Sequence, residues 1–143
     1  MKFFAKRKLN KQLEQLSERS VINPKKIKRL IFIHDVDLDI TESQFEEFCA
    51  IFSNSYDLIE YVNYAENKKM LEGKPKPHLH SKSIDWYGRF IDNELNYVMS
   101  QKYDLLVHFV SNISIPLQLF SSKLDASFRI GPFSLDKRLN DLV

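Results

Sequence analysis

Residues 27–34 read I-K-R-L-I-F-I-H, and residues 103–110 read Y-D-L-L-V-H-F-V. Both are nearly continuous apolar runs, which is typical of parallel strands that are covered on both faces. Each run is followed by turn residues and then by a helix signal, so both strands are expected to end at the same edge of the sheet. We predict that they are adjacent strands at the centre of the fold. The side chains predicted to be buried in them are Leu30, Phe32, Leu106 and Phe109.

Helix signals alternate with strand signals along the rest of the chain. Thr41 followed by Gln44 is a capping box, which predicts that a helix begins there. Pro116 predicts the first position of another helix. Further strands are predicted at 56–64, 80–84 and 126–130, with helices at 92–101 and near 67–71. Because strands that alternate with helices pair in parallel through right-handed crossovers, we predict a small three-layer, Rossmann-like α/β fold with a mostly parallel sheet of about four to five strands.

Positive charge is concentrated at the N-terminus. Residues 1–29 contain ten cations and two anions, a net charge of +8, whereas the remaining 114 residues carry −6. Four apolar residues of this segment recur at helical spacing: Ala5, Leu9, Leu13 and Leu16. We therefore divide the chain into a basic N-terminal helix with its linker, residues 1–26, and a single α/β domain, residues 27–143.

The basic helix predicts an anionic partner, namely RNA, a ribosome or an anionic membrane surface. A solvated helix that serves only solubility is the alternative. RNA or a ribosome is favoured over a membrane because Phe3 and Phe4 lie off the apolar stripe. The cations assigned to this contact are Lys2, Lys6, Arg7, Lys8, Lys11, Arg19, Lys25 and Lys26.

The composition excludes several classes of protein. The chain has 143 residues and only three glycines, so neither a G-x-G-x-x-G loop nor a Walker A loop is present. Its single cysteine, Cys49, excludes an internal disulfide framework and fits a reducing compartment. No apolar run approaches the roughly 20 residues that span a bilayer, and no secretory signal is evident. We expect a cytoplasmic protein, either free or peripheral to a membrane.

An acidic run follows the first strand and is the sharpest candidate for chemistry. Residues 37–41 read D-L-D-I-T, which matches the D-x-D-x-T signature of the haloacid-dehalogenase phosphotransferases. That resemblance implies a nucleophile at Asp37, a general acid/base at Asp39 and Mg²⁺ beside them. Ile40 stands where that signature usually has glycine, and no acidic pair follows a late strand.

The same run matches part of a calcium-binding loop, which makes Asp35, Asp37 and Asp39 candidate metal ligands. Together with Glu46 they occupy positions 1, 3, 5 and 12 of an EF-hand, but Ile40 replaces the glycine that position 6 requires. The favoured interpretation is a solvated acidic loop before a helix.

Other chemistry-bearing residues have simpler interpretations. His78 and His80 are expected to be loop histidines, with a shared metal as the alternative. His108 is expected to be a hydrogen-bonded core histidine, and Cys49 a buried thiol. For Trp86 and Tyr87 we favour packing of their loop on the sheet, with stacking on a base as the alternative.

Three segments carry a resemblance to known proteins: S-I-D-W-Y-G-R at 83–89, Y-D-L-L-V-H-F-V-S at 103–111 and S-K-L-D-A-S-F-R-I-G at 122–131. They resemble an uncharacterised family of small α/β proteins of Bacteroidetes, in which a basic helix precedes the first strand. The last two segments are also similar to the amino-terminal half of heptosyltransferase-type glycosyltransferases. His108 stands where those enzymes usually have an acidic residue.

We expect a non-catalytic cytoplasmic α/β interaction module whose basic N-terminal helix docks on an anionic partner, with no cofactor. The alternative is an enzyme of the crevice at the strand ends, either a Mg-dependent, phosphotransferase-like enzyme or a glycosyltransferase-derived remnant. A subunit of a larger protein assembly is the third class. The loops expected to form the crevice are 34–39, 63–65, 111–114 and 131–132.

Overall fold

The computed structural model describes residues 3–17, 27–53, 55–132 and 137–140. The helices are α1 (Phe3–Ser17), α2 (Glu42–Phe52), α3 (Asn93–Met99) and α4 (Ile115–Lys123). The strands are β1 (Arg29–Asp35), β2 (Leu58–Tyr64), β3 (His78–Leu79), β4 (Lys102–Phe109) and β5 (Asp125–Ile130). Two 3₁₀ helices span Lys68–Leu71 and Lys137–Leu139.

The five strands form one parallel sheet in the order β3-β2-β1-β4-β5. The prediction of an α/β fold with β1 and β4 as adjacent parallel strands is confirmed. The chain moves outward through β2 and β3 and then returns to the centre for β4. The strand order therefore reverses between β1 and β4, and the carboxyl edge at such a switch point is where open α/β sheets bind ligands.

One face of the sheet is covered by α1, α3 and α4. Ile31, Ile33 and Leu106 point into this layer and belong to the same apolar cluster as Leu9 and Leu117. Three members of the predicted stripe in α1, namely Ala5, Leu9 and Leu13, are buried there. Helix α1 therefore shares one hydrophobic core with the sheet, although the predicted boundary between helix and domain lies at residue 26.

Of the helices that the structure describes, α2 is the one that covers the other face. Thr41 caps this helix, and its hydroxyl and the Gln44 side chain complete the predicted capping box. Phe32 lies fully buried beneath α2, with ring centroids of Phe45 at 5.3 Å and Phe109 at 5.7 Å. These aromatic contacts anchor α2 to the centre of the sheet.

Several predictions need correction. Phe109 is half-buried and not fully buried, although its ring contacts Phe32 and Phe45. The strand predicted at 80–84 is wrong: β3 is His78–Leu79, and Ile84 forms an isolated bridge with Phe90. Pro116 is the second residue of α4, after the cap at Ser114.

Within the described part of the chain, no helix combines the length and apolar character needed to cross a membrane.

Candidate functional site

The carboxyl edge at the switch point is filled by Asp35, the last residue of β1. This side chain is fully buried. Its Oδ2 accepts hydrogen bonds from the backbone N–H of Ser111 at 3.1 Å, from the Ser111 hydroxyl at 3.0 Å and from the backbone N–H of Asn112 at 3.1 Å. Its Oδ1 accepts from the Asp37 backbone N–H at 3.0 Å. Asp35 thus joins the loop after β1 to the loop after β4.

Asp37 and Asp39, the candidate catalytic residues, lie beyond this contact. Both are exposed. Asp37 Oδ2 accepts a hydrogen bond from the Asn112 side chain at 3.0 Å, whereas Asp39 makes no hydrogen bond to these groups among the described residues. The strand therefore ends two residues before Asp37, so the proposed nucleophile stands in the loop and not at the strand tip.

Asp35 and Asp37 lie near the same Asn112 side chain, but the candidate metal ligands do not form a site of three within the described part of the chain. The Asp35 carboxylate already accepts hydrogen bonds from the backbone N–H groups of Ser111 and Asn112, and Glu46 lies exposed on α2. His78 Nε2 contacts the Lys74 carbonyl at 2.7 Å, whereas His80 Nδ1 accepts from the Lys82 backbone N–H at 3.1 Å. Among the residues that the structure describes, no group of three His, Cys, Asp or Glu side chains is arranged to hold a metal ion.

His108 is a core histidine with both ring nitrogens bonded, as predicted. Its Nδ1 donates to the Ile130 carbonyl at 2.9 Å, because a carbonyl oxygen only accepts. Its Nε2 therefore accepts from the Ser121 hydroxyl at 2.6 Å. Burial is the main cause that lowers the pKa of His108 to about 4. The neutral ring ties β4 to α4 and is closed to solvent.

Cys49 is a buried thiol, also as predicted. Burial raises its pKa, and the nearby Glu46 carboxylate raises it further. A thiol with a raised pKa is a poor nucleophile at neutral pH.

The cations of α1 divide into those that are described and those that are not. Lys6, Arg7 and Lys11 are exposed, and Lys8 is half-buried. The buried stripe of α1 faces the core, so these cations lie along the remaining surface of the helix. The cations predicted to bind a partner that lie outside the described residues are Lys2, Arg19, Lys25 and Lys26.

A tight turn at residues 85–89 presents two aromatic side chains to solvent. Trp86 is 55% exposed and Tyr87 is 56% exposed, so the predicted packing of their loop does not cover these two rings. Packing is instead done by their neighbours Ile84 and Phe90, which are buried. Two exposed aromatic rings on one turn are a feature of binding surfaces.

The turn is closed by the carboxylate of Asp85. Its Oδ1 accepts from the backbone N–H groups of Tyr87 and Arg89, each at 2.9 Å. Its Oδ2 forms an ion pair with Arg89 Nε at 2.8 Å. The hydrogen bond from the backbone N–H of Arg89 is the largest of the effects that lower the pKa of Asp85.

The turn also contacts α1. The Phe4 and Tyr87 ring centroids are 5.3 Å apart, and Gly88 packs on the backbone of Ala5. Phe4 is itself 43% exposed, so its ring extends the aromatic surface of the turn. The structure therefore joins the N-terminal helix and the aromatic turn into one surface.

Two amines complete this surface. The Lys123 amine at the end of α4 lies 5.4 Å from the Phe90 ring centroid. Burial lowers the pKa of Lys123 to about 8, and the neighbouring Lys8 amine lowers it further. We call the surface formed by these groups the aromatic-basic surface. Its members are Phe4, Lys8, Trp86, Tyr87, Arg89 and Lys123, together with the exposed Lys11, which follows Lys8 at i+3 on the same side of α1.

Sequence reasoning missed two of these relationships. The sequence does not indicate that Lys123 lies beside the basic helix, because the contact joins residues that are far apart in the chain. The exposure of Trp86 has a sequence signal in Asp85 and Gly88, which are turn-forming residues that indicate a projecting loop.

The model of a family of unknown function, DUF6913, matches residues 2–143. No curated protein and no solved structure matches the chain.

Proposed function

The chain belongs to that family of unknown function, and we propose that it is a non-catalytic, cytoplasmic RNA-binding module that uses the aromatic-basic surface. The observation that carries the proposal is the contact of the exposed Trp86–Tyr87 turn with the basic helix α1. Cations beside exposed aromatic rings are the combination by which proteins bind RNA: amines contact phosphates, and rings stack on bases.

The charge of the surface supports an anionic partner. Lys8, Lys11 and Lys123 have no carboxylate partner at salt-bridge distance among the described residues, whereas Asp85 is paired with Arg89. The neighbouring Lys8 and Lys123 amines repel each other in the unbound protein. A bound phosphate would neutralise that repulsion, so binding to RNA is favoured by both the sign and the placement of the charges.

The burial of the apolar stripe of α1 weighs against the membrane alternative. An interfacial helix needs a free apolar face to enter the lipid. In this protein Ala5, Leu9 and Leu13 are buried in the protein's own core. What remains exposed on α1 is mostly polar and charged, which suits a polyanion in water.

The hydrogen bonds of Asp35 weigh against an enzyme at the strand ends. The buried carboxylate at the tip of β1 already accepts bonds from the loops after β1 and β4. A phosphotransferase would need its nucleophile and metal at the strand tip, whereas the candidate nucleophile Asp37 lies two residues beyond the end of β1. Magnesium-dependent hydrolysis of p-nitrophenyl phosphate that is lost in Asp37→Asn would support this alternative, and a thermal shift with a nucleotide-sugar would support the glycosyltransferase-derived one.

The proposal is tested by anisotropy of a fluorescent single-stranded RNA titrated with the full chain at low and at moderate salt. We expect saturable binding whose affinity falls as salt rises, because phosphate contacts release counterions. The variant with Lys6, Lys8 and Lys11 changed to Gln is expected to bind much more weakly.

A matched control carries the same number of changes elsewhere: Lys68, Lys69 and Lys74 to Gln, all exposed. This control is expected to bind RNA like the parent. Absence of RNA binding by the parent, or binding of phosphatidylserine vesicles in place of RNA, would contradict the proposal.

A further inference from the structure

Trp86 is held on a fixed turn but its side chain faces solvent. The turn is closed by the hydrogen bonds to Asp85 Oδ1 and by the Gly88 N–H, which donates to the Asp85 carbonyl at 3.1 Å. Among the described residues, no ring contact or hydrogen bond to the Trp86 indole is found. A ring that is exposed on a rigid support loses little entropy when it stacks on a ligand, because its backbone is already ordered.

Tyr87 differs from Trp86 in being supported on two sides. Phe4 contacts its ring, and the Arg89 guanidinium lies 5.5 Å from its centroid. Tyr87 therefore fixes the position of the turn on α1, whereas Trp86 offers the ring without a partner. This division assigns stacking to Trp86 and positioning to Tyr87.

The amines of Lys8 and Lys123 lie beside the base of the same turn. Asp85 is close enough to Lys123 to interact with its charge, and Arg89 neutralises that carboxylate. The positive charges of Lys8 and Lys123 are therefore available to bind one anion together. Two neighbouring amines can both donate hydrogen bonds to the oxygens of one phosphate group.

We propose that the aromatic-basic surface binds an unpaired nucleotide of single-stranded RNA, with its base stacked on Trp86 and its phosphate between Lys8 and Lys123. This inference rests on the proposed function and names the form of RNA. Base faces are accessible in single strands, whereas they are stacked inside a duplex and closed to an external ring.

Trp86 is the only tryptophan of the chain, so all tryptophan fluorescence of the protein comes from this site. The probes are an oligoadenylate of about a dozen nucleotides, the same strand paired with oligouridylate, and free AMP. We expect saturable quenching by the single strand, weaker binding of AMP, and no quenching by the duplex. Quenching by AMP at the affinity of the oligonucleotide would point to a free nucleotide as ligand and overturn the assignment to RNA.

Variants separate stacking from charge. Trp86→Leu is expected to weaken single-strand binding by roughly 5-fold or more, and Trp86→Phe to restore most of it. Tyr97→Leu, which removes an exposed ring from α3, is the matched control and is expected to be neutral. Lys8→Ala and Lys123→Ala are each expected to weaken the salt dependence: the negative slope of log affinity against log salt becomes shallower by about 0.7. Lys69→Ala is expected to leave this slope unchanged.

The outcomes distinguish this inference from the proposed function. Equal affinity for single strand and duplex, with Trp86→Leu neutral, would overturn the nucleotide site while leaving an RNA-binding surface. Absence of salt-sensitive binding to either form would overturn both. Circular dichroism spectra of each variant and of the parent are compared, so that a loss of binding can be distinguished from a loss of folded structure.

Discussion

Gly88 packs so closely on Ala5 that a Cβ added to Gly88 would lie 3.0 Å from the Ala5 Cα. The same glycine has a φ of 83°, in the left-handed region that other residues rarely adopt. The contact seats the aromatic turn directly on α1. It explains why the turn and the basic helix form one surface, because any larger residue would separate them.

Gly88→Ala is therefore expected to destabilise the protein and to weaken RNA binding. The left-handed backbone alone costs about 1–2 kcal/mol for alanine, and the contact with Ala5 adds to it. Gly73→Ala is the matched control, because Gly73 has a φ of 78° but no described residue lies within 4 Å of an added Cβ. Urea unfolding of both variants measures the difference; equal losses of stability would show that the Ala5 contact does not matter.

Asp35→Ala tests the role of the buried carboxylate at the end of β1. The change leaves the backbone N–H groups of Ser111 and Asn112 without this acceptor, so we expect a loss of about 3 kcal/mol or more in the free energy of unfolding. Asp39→Asn, on the exposed side of the loop, is expected to stay within about 0.5 kcal/mol of the parent. If chemical denaturation finds Asp35→Ala as stable as Asp39→Asn, the hydrogen bonds of Asp35 at the switch point do not contribute the expected stability.

His108 predicts a pH dependence of stability. Its pKa is lowered to about 4 in the folded protein, below the value of about 6.5 for an unfolded histidine. The unfolded chain therefore binds an extra proton between these values, and stability is lost as pH falls from 6.5 towards 4, by about 3 kcal/mol in all.

The comparison with His108→Gln isolates this contribution from that of the carboxylates. The variant is expected to be less stable than the parent at pH 7 but to lose less stability on acidification. Parallel unfolding free energies of the two proteins from pH 7 to pH 4 would contradict the assignment of a neutral, buried ring.

Lys123 predicts a pH dependence of binding. Its pKa of about 8 reflects burial first and then the Lys8 amine, with Asp85 opposing them. A phosphate binds the protonated amine, so RNA affinity is expected to fall by up to about 10-fold from pH 7 to pH 9.

Lys123→Arg keeps its charge over this range, because an arginine does not titrate below pH 12. Its binding curve is therefore expected to be flat where that of the parent declines. An unchanged decline in Lys123→Arg would assign the titration to another group.

The centre of the fold was predictable because β1 and β4 are fully covered strands with continuous apolar runs. Phe32 and Leu106 are buried as their pattern predicts, and Thr41 and Gln44 mark the start of α2. In contrast β3 has two residues, His78 and Leu79, which is too few for any alternation to be visible.

The candidate site was less predictable because its contacts join distant parts of the chain. The acidic run after β1 suggested chemistry at Asp37, but the burial of Asp35 depends on donors supplied by Ser111 and Asn112. Likewise Lys8 meets Lys123 only because α1 packs on α4. Sequence patterns report local structure, and these pairings are set by the packing of whole elements.

The most direct test of an RNA-binding surface is to map where RNA touches the protein. Ultraviolet cross-linking of the full chain to a single-stranded RNA containing 4-thiouridine, followed by mass spectrometry, identifies the contacted residues. We predict cross-links at Trp86 or Tyr87, with further cross-links on α1. Cross-links confined to α2, on the opposite face of the sheet, would contradict the account.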